Sequence, residues 1–66
     1  MIVNTNTFGD WLQKEMHNAD LTASQVARLS GLTPSSIRGL MNGRQFPTLF
    51  TMESLAAVFK RRIVIE

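Results

Sequence analysis

The sequence predicts a mainly α fold: four short helices followed by a short C-terminal β-strand. Apolar residues recur at helical spacing in four segments, and a residue that can cap a helix precedes each of them. Only residues 62–66 change to a run of β-branched side chains, which is typical of a strand. A chain of 66 residues is expected to form one small domain, so residues 1–66 are treated as one unit.

The first helix is predicted from Phe8 to about Asn18, with Asn6 or Thr7 as its cap. Its expected buried face has members three or four positions apart, namely Phe8, Trp11, Leu12, Glu15 and Met16. Trp11 shares this face with Phe8, so we expect a core residue or a partly buried lid rather than a stacking platform for a base. His17 is the only histidine and is expected to be solvated or to act at the helix end.

The second helix is expected to begin after Thr22, whose hydroxyl can accept from a free backbone N–H of the first turn. Its predicted buried face comprises Val26, Ala27 and Leu29. Gly31 is expected to end it, because glycine enters the left-handed region without strain at Cβ. Leu32 would then fill the corner before the next helix.

The third helix is expected to start with Thr33 as its cap and Pro34 at its first position, where no N–H is needed. Asn42-Gly43 is expected to close it, since both residues tolerate the left-handed conformation. Its predicted buried face is Ile37, Leu40 and Met41. The opposite face is short-chained and polar, comprising Pro34, Ser35, Ser36, Arg38, Gly39 and Asn42.

The fourth helix is expected to follow Pro47, with Thr48 as its cap, and to run to about Phe59. We expect Phe46 to pack back on the helical core. The predicted buried stripe is Leu49, Met52, Leu55, Ala56 and Phe59. Phe50 lies off that stripe and is expected to be partly exposed or to help a subunit contact.

The predicted C-terminal strand contains Ile63, Val64 and Ile65. A lone strand leaves its backbone groups unpaired, so it needs a partner. The candidates are the Ile2-Val3 segment, the same tail of a second subunit, or both. We expect a dimer because an open apolar edge favours aggregation. The alternative is that Ile63 and Ile65 fill the core of a monomer.

The run VARLSGLTPSSIRGLMNG, within a unit spanning 22–43, resembles the helix-turn-helix of the phage repressor/Cro (Xre-type) family. The Val-Ala pair, the turn glycine, the Thr that opens the second helix, the Ile and Leu behind it, and the final Asn-Gly fall where that family has them. The resemblance covers roughly Phe8 to Phe59. It implies a compact four-helix repressor-like domain whose helix 34–41 lies in the major groove of double-stranded DNA. The alternative is an ordinary antiparallel helix pair without a ligand.

This interpretation assigns DNA contacts to the second helix, to the third helix and to the segment that follows the third helix. Arg38 is the candidate for a strong contact, either bidentate to guanine or to a phosphate. Pro34 and Gly39 depart from residues common in the family, so direct base readout is expected to be sparse there. Asn42, Arg44 and Gln45 follow the third helix and are expected to contact the DNA backbone. The expected DNA-binding residues are Ser24, Gln25, Thr33, Pro34, Ser35, Ser36, Arg38, Gly39, Asn42, Arg44 and Gln45.

The formal net charge is only +2, but its distribution favours phosphate binding. Arg28, Arg38 and Arg44 lie within or just after the two-helix unit, which contains no acidic residue. The chain lacks cysteine, its one histidine has no partner at metal or triad spacing, and its acids are scattered. We therefore expect no enzyme activity, no cofactor and no metal site. No apolar run is long enough to span a membrane, and we expect a cytoplasmic protein.

The expected function is that of a sequence-specific transcriptional regulator, a repressor or autoregulator, which acts as a homodimer on a pseudo-palindromic operator. One alternative is an antitoxin-type protein of the same fold that neutralises a protein partner. A second alternative is a binder of single-stranded nucleic acid, which would need Trp11 and Phe46 as stacking surfaces.

Overall fold

The computed structural model describes residues 7–61 as four α-helices around one core. The helices are α1 (Phe8–Ala19), α2 (Ala23–Ser30), α3 (Pro34–Met41) and α4 (Leu49–Val58). All four predicted helices are confirmed, although α1 ends one residue later and α4 one residue earlier than the sequence indicates.

The fold class needs one correction, because residues 7–61 are all-α and contain no β-strand. The strand predicted at 62–66, and its pairing with Ile2-Val3 or across a dimer, lie outside the described residues. A run of β-branched residues indicates that its side chains would fit a pleated sheet, but it does not establish that a strand forms. The described part of the chain offers no sheet that such a run could join, so the strand is not part of the fold class.

The core is built from all four helices. Its buried members are Phe8, Leu12, Met16, Val26, Ala27, Ile37, Leu40, Met52 and Leu55. Trp11 is half-buried and packs between Phe8, at a ring-centroid distance of 5.1 Å, and Phe59, at 5.9 Å. This arrangement confirms the partly buried lid that the sequence predicts, because Trp11 packs against the core through two aromatic neighbours.

Capping interactions explain where α2 begins and ends and where α4 begins. Thr22 Oγ1 accepts from the Gln25 N–H (3.2 Å), and Gln25 Oε1 accepts from the Thr22 N–H (2.8 Å), which completes a capping box. Thr48 Oγ1 accepts from the Thr51 N–H at 3.1 Å. Gly31 follows α2 with a φ of 79°, in the left-handed region that the sequence predicts.

Three apolar residues are more exposed than the sequence indicates. Val26 and Ala27 mark the buried side of α2. Leu29 lies at the edge of that side farther from Ala27 and is 62% exposed. Phe46 is 79% exposed and does not pack back on the core, and Leu49, at the start of α4, is 54% exposed. Helical spacing identifies an apolar stripe but not its edges, which depend on where the neighbouring elements lie.

The chain after α4 is joined to α1 by an ion pair. Arg61 Nε donates to Glu15 Oε2 at 3.0 Å, and the Glu15 side chain is only 8% exposed. A buried carboxylate requires such a partner, which explains how Glu15 occupies the buried face of α1.

A close contact between α1 and the C-terminal end of α3 positions α3 on the core. A Cβ atom at Gly9 would lie 2.6 Å from the Leu40 carbonyl oxygen and 3.2 Å from that of Met41. Gln13 Nε2 donates to the Met41 carbonyl at 2.7 Å. Only glycine at position 9 therefore lets α1 approach the end of α3 this closely.

We expect Gly9→Ala to lower the free energy of unfolding by about 1–3 kcal/mol, because its methyl group meets backbone atoms that cannot rotate away. Gly39→Ala is the matched control, since the three atoms nearest to a Cβ there all belong to the Gln45 side chain, which can move away. The control should keep or raise stability through its better helix propensity, by up to about 1 kcal/mol. Urea unfolding of both variants measures the difference, and equal stabilities would contradict the contact.

Candidate nucleic-acid interface

The N-terminal end of α3 is fixed by its cap. Thr33 Oγ1 accepts from the Ser36 N–H at 3.1 Å and donates to Ser36 Oγ at 3.0 Å. Pro34 occupies the first turn, as the sequence predicts. The Thr33 and Ser36 hydroxyls are thus already paired with each other, which leaves Ser35 as the serine whose side chain is exposed.

The outward face of α3 is polar and carries one cation. Ser35, Arg38 and Asn42 are exposed and follow one another at helical spacing, while Ile37 and Leu40 are buried behind them. Pro34 and Ser36 are half-buried at the edge of this face. An α-helix of this kind can present short side chains and one guanidinium to a ligand.

The chain turns back over α3 immediately after its last turn. Gly43 has a φ of 76°, its N–H donates to the Leu40 carbonyl (3.4 Å), and the Arg44 N–H donates to the Gly39 carbonyl (2.9 Å). This pattern of a left-handed glycine and two backward hydrogen bonds is a Schellman motif. The Gln45 N–H also donates to the Gly39 carbonyl at 3.2 Å.

This turn brings two candidate residues of the loop beside three of the helix. Ser35, Arg38, Gly39, Arg44 and Gln45 line one surface hollow. Gly39 itself is buried, because the Gln45 side chain lies over it. Of the residues assigned to DNA contact by sequence, Gly39 is therefore covered by the protein's own chain.

The N-terminal end of α2 holds the other two candidates, Ser24 and Gln25. Both are exposed, but the Oε1 atom of Gln25 already accepts from the Thr22 N–H in the capping box. Ser24, in the first turn of α2, lies at the positive end of the helix dipole, where an anion is favoured.

The charge of this region is positive only. Residues 21–52 contain Arg28, Arg38 and Arg44 and no carboxylate or lysine, and all three arginines are exposed. Arg38 and Arg44 share the hollow described above. Such an acid-free surface attracts phosphate groups.

Within residues 7–61, no three His, Cys, Asp or Glu side chains are grouped so that they could hold a metal ion. No helix in the same part of the chain combines the length and the apolar character needed to cross a membrane.

Comparison with known proteins agrees with the geometry of α2 and α3. Residues 7–61 match the sequence pattern of the family described as helix-turn-helix domain. The chain belongs to this family. No curated protein and no solved structure gives a significant match. Helix-turn-helix domains typically bind DNA, with the second helix of the motif in the major groove, and they are typically not enzymes.

Sequence reasoning missed two residues that position α3, the second helix of the helix-turn-helix motif. Gly9 allows α1 to approach the end of α3, and Gln13 donates to its last carbonyl. A glycine inside a helical pattern is less favourable than alanine by about 1 kcal/mol, so Gly9 is a position at which a packing reason could have been sought. Nothing in the sequence indicates the partner of Gln13, which is 28 positions away in the chain.

We expect Thr33→Ala to destabilise the domain by about 1 kcal/mol, because the first turn of α3 loses its capping oxygen. Thr33→Ser keeps the hydroxyl and is the matched control, which should retain most of the stability. Urea unfolding of the two variants gives the comparison. If Thr33→Ala unfolds at the wild-type denaturant concentration, the cap does not stabilise α3.

Proposed function

We propose that this protein is a sequence-specific transcriptional regulator of the phage repressor/Cro type, with α3 inserted in the major groove of double-stranded DNA. The observation that carries the proposal is the division of α3 into two faces. Ile37 and Leu40 are buried, while Ser35, Arg38 and Asn42 face outward. The major groove is wide enough to admit such a helix.

Six residues of this surface, five of them exposed, have the following roles in this proposal. Arg38 donates to a guanine edge or to a phosphate, since its guanidinium suits both as a bidentate partner. Ser35 reaches a base edge, and Pro34 offers only an apolar contact, for example to a thymine methyl group. Asn42 and Arg44 bind phosphates at one end of α3, and Ser24 binds a phosphate at the N-terminal end of α2.

The test of this proposal is Arg38→Ala in a duplex-binding assay. We expect binding to fall by about tenfold or more, because one guanidinium contact is worth roughly 1–3 kcal/mol. The fold should be retained, since the Arg38 side chain is exposed. Lys14→Ala is the control: Lys14 is an exposed cation on α1, so its removal changes the net charge equally without touching α3.

The salt dependence of binding separates the two roles of Arg38. If it binds a phosphate, the slope of log K against log salt should fall by about one in Arg38→Ala. If it binds guanine, the variant should lose preference at one base pair instead. Wild-type affinity in Arg38→Ala would remove this residue from the interface.

The exposed side of α4 supports a dimer. Phe50 is 75% exposed and Ala57 is exposed on the same side of the helix, and Glu53 is the one charged residue of α4. Leu29, from α2, lines a surface hollow with Ser54, Ala57 and Val58. Glu53 is exposed on the same side as Phe50 and Ala57, so this side carries one charge among apolar groups. An exposed aromatic side chain near a hollow lined by Leu29 and Val58 is typical of a protein–protein contact.

We assign this side of α4 to a second copy of the chain. Residues 21–52 of one subunit offer three arginines for phosphates, which gives weak and salt-sensitive binding. Two subunits on a pseudo-palindromic operator, with half-sites about 34 Å apart, would double those contacts. Such a cytoplasmic dimer would act as a repressor or autoregulator by occluding a promoter.

We expect Phe50→Asp to shift the protein to a monomer and to weaken operator binding, because the substitution buries a charge in the subunit contact. Phe46→Asp is the matched control: Phe46 is equally aromatic and 79% exposed, but it lies in the loop before α4. Sedimentation without DNA measures the oligomeric state. A dimer that survives Phe50→Asp and dissociates in Phe46→Asp would place the contact on the loop.

The second candidate function is an antitoxin-type protein that binds and neutralises a protein partner. The exposed Phe50 favours it, because a protein partner could cover the same side of α4. Co-purification of a stoichiometric partner that is lost in Phe50→Asp, with operator binding kept, would support this function. A DNA-binding antitoxin would show both activities.

A further inference from the structure

We propose that Gln45, from the loop after α3, contacts a base edge in the major groove, in the position that a side chain at residue 39 would otherwise take. The inference rests on the proposed DNA-binding function and names a residue that determines its specificity. It differs from the assignment of Gln45 to the DNA backbone that the sequence alone suggests.

The first observation is the position of the Gln45 side chain. A Cβ atom at Gly39 would lie 2.9 Å from both Cδ and Nε2 of Gln45, and 3.0 Å from its Cγ. The amide group of Gln45 therefore occupies the space into which a side chain at position 39 would extend. That space lies on the outward side of α3, where Ser35, Arg38 and Gln45 line the same hollow.

The second observation is that the backbone of Gln45 is held against α3. The Gly39 carbonyl accepts from the Arg44 N–H (2.9 Å) and from the Gln45 N–H (3.2 Å), and Gly43 in the left-handed region makes the turn. Two hydrogen bonds to one carbonyl fix where the Gln45 side chain starts. Because its backbone is already ordered before binding, only the side-chain rotamers of Gln45 remain to be fixed when it contacts a base.

The side chains of Arg44 and Gln45 differ in charge, and this difference suits them to different parts of the DNA. Gln45 is exposed and neutral, so it adds nothing to the attraction of phosphates through charge. Its amide carries donors and an acceptor that match N6 and N7 of adenine as a bidentate pair. Arg44, its neighbour in the same hollow, supplies the charge that a phosphate requires. Gln45 is therefore the residue suited to a base, and the base it fits is adenine.

The experiment selects bound duplexes from a random pool with the full chain and with four variants. Wild type should prefer an A·T pair at one position of each half-site. Gln45→Ala should lose that preference, by about five- to one-hundred-fold at that position, and keep the preferences at the others. Gly39→Ala should lose it too, because the new Cβ displaces the amide although Gln45 is still present.

The double variant Gly39→Ala/Gln45→Ala should lose no more than either single variant, because both remove the same contact. Gln45→Glu should move the preference at that position from adenine toward cytosine, whose N4 amino group donates to a carboxylate. A purely structural role for Gln45 would produce neither result. Thermal unfolding of each variant checks that the fold is retained.

Two outcomes overturn the inference, and a third concerns the proposed function alone. The inference fails if Gln45→Ala weakens binding equally for every sequence, which would indicate a phosphate contact. It also fails if all base preferences survive in both Gln45→Ala and Gly39→Ala. If wild type selects no duplex at all, the DNA-binding proposal fails first, and that result is distinct from the other two.

Discussion

The C-terminal end of α3 imposes the constraint on which the arrangement of the domain depends. The last carbonyls of a helix have no partner within it, so another part of the chain must satisfy them. Here the Gly39 carbonyl accepts from two loop amides, and the Met41 carbonyl accepts from Gln13 of α1. The Leu40 carbonyl lies against Gly9 so closely that no Cβ fits between them. The same groups that end α3 therefore also set its position against α1 and the path of the loop.

Two glycines near the end of α3 have different effects: one concerns the packing of α1, and the other concerns the proposed DNA-binding surface. Gly9 faces rigid backbone, so its lack of a side chain determines how α1 packs. Gly39 faces the flexible end of Gln45, so its lack of a side chain determines which group covers the outward side of α3. The first contact bears on stability, and the second bears on the surface that we propose meets DNA. A single sequence assigns no such difference to two glycines that both lie in predicted helices.

The features that the sequence predicts correctly are those that depend on a few neighbouring residues. Thr22, Thr33 and Thr48 each cap a helix as expected, because a cap involves atoms only three positions apart. The exposure of Phe46 could not be predicted in the same way, since it depends on a turn that directs the loop over α3. The incorrect prediction of a strand at 62–66 has the same origin, because a strand requires a partner elsewhere in the chain or in another subunit, which local residues do not reveal. The covered state of Gly39 likewise requires the position of Gln45, which only the folded loop provides.

The relation between the proposed DNA-binding face and the proposed dimer face follows from the packing of α2. This helix packs against both α3 and α4, and its Val26 and Ala27 are buried in the shared core. The side of α4 that carries Phe50 is thus connected to the outward face of α3 through packed side chains rather than through a linker. A close-packed interior is barely compressible, so helices that share it keep fixed positions relative to one another. In a dimer formed through α4, the distance between the two copies of α3 would accordingly be set by the fold. The operator would then accept a single spacing between its half-sites, whereas a dimer joined by a flexible terminal segment would tolerate several.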